Sequence, residues 1–146
     1  MQIILASAKI MNDKLKSIPD ISLSLPRFQK EAEDFARDMA QYSVETIADM
    51  LGCSRQIAAQ NRLRYENFFG ATPKFPAILA YHGQAYKHLK AETLNVDDLN
   101  YSQGKLWITS FLYGLLRPLD AIHDNKKKML ASGFCPNYII FLGQKH

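Results

Sequence analysis

Cysteine is scarce in this sequence and poorly spaced for chemistry. Cys53 and Cys135 are the only two in 146 residues, and neither belongs to a C-x-x-C pair. That excludes a disulfide framework and a structural zinc site, and it predicts reduced thiols in a cytoplasm. His82, His88, His123 and His146 show no facial-triad spacing, and the carboxylates form no paired Glu-x-x-His motif. Direct iron sequestration, a metal site and a cofactor are therefore not expected. No apolar run approaches the roughly 18 residues of a membrane span. "MQIILASAK" lacks the basic segment of a signal peptide, so no membrane partner is expected and a cytoplasmic location is. Internal repeats and low-complexity linkers are missing too.

What is present is ordinary for a globular domain. Hydrophobic residues make up 47% and charged residues 22% of the chain, far from a disordered composition. A chain of this length forms one domain that buries about two-thirds of its unfolded surface. The net charge of +4 is a mild bias toward polyanions such as nucleic acid or anionic lipid.

Periodicity places the elements. "IILAS" at residues 3–7 reads as a buried strand. "FQKEAEDFARDMAQYS" puts Phe28, Ala32, Phe35, Ala36 and Met39 on one face of a surface helix. Ser43 is a cap for the next helix, whose stripe is Val44, Ile47, Ala48 and Leu51 and whose end is Gly52. "PAILAYHG" after Pro76 and "LWITSF" from Leu106 read as strands, with a short helix capped by Asn95 between them. Strands separated by helices predict an α/β or α+β fold.

In such folds sites gather outside the carboxyl ends of strands. The candidates there are Ser7 and Lys9, then His82 and Gly83, then Tyr113, Gly114, Arg117 and Asp120. Lys9, Arg64 and Arg117 suit an anion clamp, with Tyr113 or Asp120 for proton transfer. Each also has an ordinary reading, as a solvated lysine or as the Arg-Pro that stops an element.

"ADMLGCSRQIAAQNRLRYENFF", residues 48–69, contains two helical rhythms about one glycine. Gly52 permits a tight turn, Ser54 caps the second helix and Arg55 begins it. Such a turn followed by a helix N-terminus holds a DNA phosphate without reading bases. At 100° per residue Arg55 and Arg62 fall within about 20° of one another, a two-arginine rail on the outer face that Glu66 weakens. Ile57, Ala58, Asn61, Tyr65 and Phe68 share the inward face, with Arg64 at its edge. Asn61 among apolar residues needs a partner, which predicts an interior site with Arg64 and the Arg117 segment or, alternatively, a purely structural network.

"AETLNVDDL" followed by "SFLYGLLRPLDAI" closely resembles the YaaA family of bacterial peroxide-stress proteins. In that family Ala-Glu-Thr and Asp-Asp precede Leu-Tyr-Gly-x-Leu-Arg-Pro-Leu-Asp, here Ala91–Thr93, Asp97, Asp98 and the run from Leu112 to Asp120. The family pattern also has asparagine, arginine and an aromatic where Asn61, Arg64 and Tyr65 stand, and does not require Arg55 or Arg62. Its first strand typically ends in Ser-x-Ala-Lys-Thr; here Ala6, Ser7, Ala8, Lys9 and Ile10 keep the lysine and lose both hydroxyls. The resemblance implies a mixed sheet with surrounding helices, a basic cleft and a helix-hairpin-helix element at residues 44–68. It further implies a cytoplasmic protein that limits iron-dependent oxidative damage during peroxide stress and binds DNA.

Two functions are compatible with these residues. One is DNA binding largely without sequence preference through Gly52, Ser54, Arg55 and Arg62. The other is an enzyme acting on a nucleotide or another phosphorylated small molecule in a cleft built from Lys9, Asn61, Arg64, Tyr65, Tyr113, Gly114, Arg117 and Asp120. The resemblance runs over residues 1–122 and stops before "HDNKKKMLASGFCPNYIIFLGQKH", where family members continue for on the order of a hundred residues. Residues 123–146 thus read as a divergent tail on an incomplete family fold. Lys126–Lys128 are expected as a solvated turn and "NYIIFLG" as an edge strand. Apolar surface near "LWITSFLYGLL" is expected to be bare and to promote self-association.

Overall fold

The structure, a computed structural model, describes residues 1–8, 10–12, 20–70, 73–110 and 112–123. They fall into two compact units, residues 1–29 with 73–123, and residues 30–70. Lys9 and the tail from residue 124, with its lysine run and "NYIIFLG", lie outside the described residues.

The first unit is built on a three-stranded sheet of β1 (Ile3–Ala6), β5 (Leu106–Ser110) and β6 (Gly114–Leu116). β1 runs parallel to β5, with Ile3 beside Leu106 and Ala6 beside Thr109, whereas β6 returns antiparallel to β5. This is the mixed sheet of an α/β protein. Two short antiparallel ribbons accompany it. β2 (Ile10–Met11) pairs with β4 (Tyr81–His82), and β3 (Lys74–Pro76) pairs with β7 (Ala121–His123). Ile78, Leu99, Ile108, Leu116 and Ile122 are fully buried in this unit.

Two readings need correction here. "PAILAYHG" is not one strand: Ala77–Ala80 form a helical turn, α4, before β4 begins. All four residues are buried, and a short apolar run has no period that separates strand from helix. The turn is selected from afar, because Ala77 N–H donates to the Asp120 carbonyl at 3.0 Å and Ile78 N–H to that of Pro118 at 3.0 Å. β1 forms as expected but is not buried, for Ile3 is 42% and Ile4 68% exposed.

α5 (Gln84–Leu89) and α6 (Val96–Ser102) complete the unit. Asn95 accepts from Asp98 N–H while the Asp98 carboxylate accepts from Asn95 N–H, a reciprocal cap that satisfies two N-terminal donors.

The second unit is helical: α1 (Gln29–Gln41), α2 (Val44–Leu51) and α3 (Arg55–Glu66), closed by a 3-10 turn at Asn67–Phe69. α1 buries Ala32, Ala36 and Met39; α2 buries Ile47, Ala48 and Leu51, as their apolar periods require. Phe28, expected on the α1 face, is 37% exposed and precedes the helix. Phe35 of α1 meets Tyr65 of α3 edge to face, with ring centroids 5.7 Å apart. No helix among the described residues is long and apolar enough to cross a membrane.

Candidate functional site

The turn between α2 and α3 follows its local sequence. Ser43 Oγ accepts from Thr46 N–H to open α2, and Ser54 Oγ accepts from Ile57 N–H to open α3. Gly52 sits at φ 58°, ψ 39°, the left-handed region where a side chain would strain the backbone. Its N–H and that of Cys53 return to carbonyls in the last turn of α2.

Arg55 and Arg62 both carry acidic partners. Arg55 donates through Nη2 to Glu45 Oε1, and this hydrogen bond is the main cause holding the Glu45 carboxyl below its ordinary range. Both side chains are exposed, so water and salt screen the pair and it yields readily to a stronger anion. Arg62 meets Glu66 at 3.2 Å, and its Nε is buried without a hydrogen-bond partner. Arg62 is therefore less outward than a helical wheel makes it. The three arginines of residues 44–69 are balanced by Glu45, Asp49 and Glu66, and across residues 30–70 five cationic side chains face seven acidic ones.

The inward face is also wetter than expected. Tyr65 and Phe68 are buried, but Asn61 is half-buried, at a position on α3 that still meets solvent. Its partner is Arg64, whose Nη1 donates to Asn61 Oδ1 at 2.9 Å across one helical turn. Burial pushes the Arg64 guanidinium below its usual range against the opposing pull of Tyr65, and it stays a cation at neutral pH. Burial likewise pushes the Tyr65 phenol up, to about 12.

In the other unit the segment from Tyr113 to Asp120 is a tight assembly. Gly114 opens β6 at φ 70°, and a Cβ there would stand 3.3 Å from the Phe28 ring. Tyr113 is buried, and its N–H donates to Ser110 Oγ at 3.3 Å; the same oxygen takes the Tyr81 hydroxyl at 3.1 Å. Asp120 is fully enclosed. Its carboxylate accepts from Arg117 N–H at 2.7 Å, from Arg117 Nη2 at 3.3 Å and from Ser24 Oγ at 2.6 Å. Gln103 braces the same turn, donating to Ser24 Oγ and accepting from Leu119 N–H, both at 2.8 Å. A carboxylate so enclosed and satisfied anchors the turn and orients the partly exposed Arg117 guanidinium. Ser24 and Gln103 have no motif in the sequence. Only their polarity beside a buried acid marks them, once the fold is known.

At the carboxyl ends of β1 and β5, Tyr86 donates its hydroxyl to the Ala6 carbonyl at 2.8 Å, and its ring lies 5.7 Å from that of Tyr81. Burial raises both phenols above their ordinary range. Gly83 passes so close that a Cβ would stand 2.9 Å from Ala8 Cβ. The site residues expected from sequence thus form two groups. Gly52, Ser54, Arg55, Asn61, Arg62, Arg64 and Tyr65 lie in the helical unit, and Tyr113, Gly114, Arg117 and Asp120 in the sheet unit.

The family profile described as "Peroxide stress protein YaaA" matches residues 1–133. A UPF0246 protein of Bacteroides thetaiotaomicron is 42% identical over 123 residues, which cover 84% of this chain and 48% of the relative. One from Phocaeicola vulgatus is 41% identical over 125 residues, covering 85% and 49%. Another from Delftia acidovorans is 33% identical over 132 residues, covering 88% and 51%. The chain spans about half the length of the curated relatives it matches.

Proposed function

This chain belongs to the YaaA family of peroxide stress proteins, and from that premise we propose that it holds DNA by its phosphates, without reading sequence, and so limits iron-dependent oxidative damage. The observation that carries this reading is Arg55. It stands exposed in the first turn of α3, directly after the Gly52 turn and the Ser54 cap, and its acidic partner is itself exposed. A phosphate approaching that helix start meets backbone N–H groups, the positive end of a helix dipole and a guanidinium released from Glu45. Because the surrounding helices carry more acids than bases, the attraction is local and weak. The test is fluorescence anisotropy with two duplexes of unrelated sequence over a salt series. Equal affinities that fall as salt rises support the reading. No binding at low salt, or a strong preference for one duplex, rejects it.

A second reading, an enzyme for a nucleotide or another phosphorylated small molecule, is favoured by an oriented guanidinium within each unit taken by itself. Asn61 fixes Arg64 within α3, and Asp120 fixes Arg117 after β6. Arginines held in place lose little entropy on clamping a phosphate. Stoichiometric binding of a phosphorylated ligand with a thermal shift distinguishes this reading from polymer binding.

A further inference from the structure

The run Ile3–Ala6 is apolar throughout, the pattern of a parallel strand covered on both faces, yet Ile3, Ile4 and Ala6 are exposed and Leu5 is only half-buried. It is the end strand of its sheet. Ile3 N–H donates to the Lys105 carbonyl and Ser7 N–H to that of Thr109, so alternate residues of β1 face β5. The N–H and C=O of Ile4 and the N–H of Ala6 then point the other way, along an edge with no strand beside it among the described residues. The edge has a defined stop, because the Ala6 carbonyl already accepts from the Tyr86 hydroxyl at 2.8 Å.

The register extends this edge into a surface. Ile4 stands beside Trp107, Ala6 beside Thr109 and Thr109 beside Leu115, so these five side chains share one face of the sheet. Ile4, Ala6 and Thr109 are exposed, and Trp107 and Leu115 are half-buried. The opposite face buries Leu106, Ile108 and Leu116. An open apolar edge next to a partly exposed face is an aggregation hazard that natural sheets pair or cover.

We propose that the outer edge of β1 seats a further β-strand, supplied by the half of the family's length that this chain does not match, extending the sheet to four strands and placing an apolar side chain over Ile4 and Trp107. The relatives' own length argues for this occupant: the matched stretch is only 48% of the Bacteroides thetaiotaomicron protein, so about half of it remains outside. The contact is strand addition. Main-chain hydrogen bonds to Ile4 and Ala6 give affinity, and the Ile4–Trp107 face selects an apolar side chain.

The experiment mixes this chain with the unmatched half of the Bacteroides thetaiotaomicron relative as a separate polypeptide. Native mass spectrometry reads stoichiometry, amide hydrogen exchange reads Ile4 and Ala6, and emission reads Trp107, the chain's one tryptophan. The expected result is a one-to-one complex with both amides slowed about a hundredfold and Trp107 emission shifted to the blue. Ile4→Lys, an edge charge that leaves the β5 ladder intact, is expected to weaken the complex at least about tenfold without changing far-UV circular dichroism. No complex, a complex in which both amides exchange freely, or full affinity in Ile4→Lys overturns the proposal. Protection of both amides in the isolated chain also overturns it, assigning the edge to a second copy if the chain is dimeric and to another segment of this chain if monomeric.

Discussion

Ser24 and Asp120 are 96 residues apart in sequence, and the Ser24 hydroxyl meets the enclosed Asp120 carboxylate at 2.6 Å. Their backbones reinforce the contact: Ser24 N–H donates to the Leu119 carbonyl at 2.9 Å, and Ala121 N–H to that of Ser24 at 2.8 Å. With Arg117 and Gln103 they hold the Arg-Pro-Leu-Asp turn as a side-chain network over a β-bridge. Asp120→Ala strands the Ser24 hydroxyl and the Arg117 N–H in a closed interior. It is expected to cost about 2–4 kcal/mol in urea unfolding, with Asp120→Asn costing roughly half of that. A loss under about 1 kcal/mol in the alanine variant would show that the network does not anchor the turn.

Tyr65 ties stability to alkaline pH. Its phenol is pushed up from 10.0 to about 12, chiefly by burial, with the Arg64 charge pulling down. The folded state therefore favours the neutral phenol, while the unfolded chain loses the proton near 10. The contribution is fully present below pH 10 and disappears as pH rises through 12. Tyr65→Phe is expected to flatten the fall in unfolding free energy across that window by up to about 1.4 kcal/mol per pH unit. Tyr81 and Tyr86, also raised, retain part of the fall in the variant. Superimposable profiles for the two proteins would contradict the assignment.

Arg117 separates the two functional readings. Its side chain is 37% exposed and is tied to Asp120 through Nη2 at 3.3 Å. If it clamps a small anion, the thermal shift given by millimolar pyrophosphate disappears in Arg117→Ala and stays weak in Arg117→Lys, which keeps the charge and loses the fork. DNA affinity is expected to change far less. An undiminished pyrophosphate shift in Arg117→Ala makes the residue structural.

What the sequence displayed and what it concealed divide by range. The caps at Ser43, Ser54 and Asn95 and the Gly52 turn were legible because each depends on residues within one helical turn. The mixed strands and helices of an α/β protein were visible in the same local periods. α4 was not, because Ala77–Ala80 take their helical turn from carbonyls of Pro118 and Asp120. Asn61 and Arg64 were recognisable as a pair, but a helical wheel overstated the burial of Asn61. The local spacing shows Glu66 beside the Arg55–Arg62 rail but not the partner of Arg55; Glu45, ten residues upstream, meets it only when α2 and α3 fold against each other. The bare side of β1 was hidden for the opposite reason, since an apolar run describes the burial a strand is suited to, not the neighbours it has.

Exposed Arg55, with half-buried Arg62 on the same helix, carries the central claim, and one measurement tests it most directly: the salt dependence of duplex affinity for the parent chain and for the double variant Arg55→Ala, Arg62→Ala. Each phosphate contact contributes about 0.9 to the slope of log affinity against log salt. The account predicts that the double variant binds more weakly at low salt, with its slope reduced by about 1.8. An affinity and slope equal to those of the parent chain would remove α2 and α3 from the DNA-binding surface.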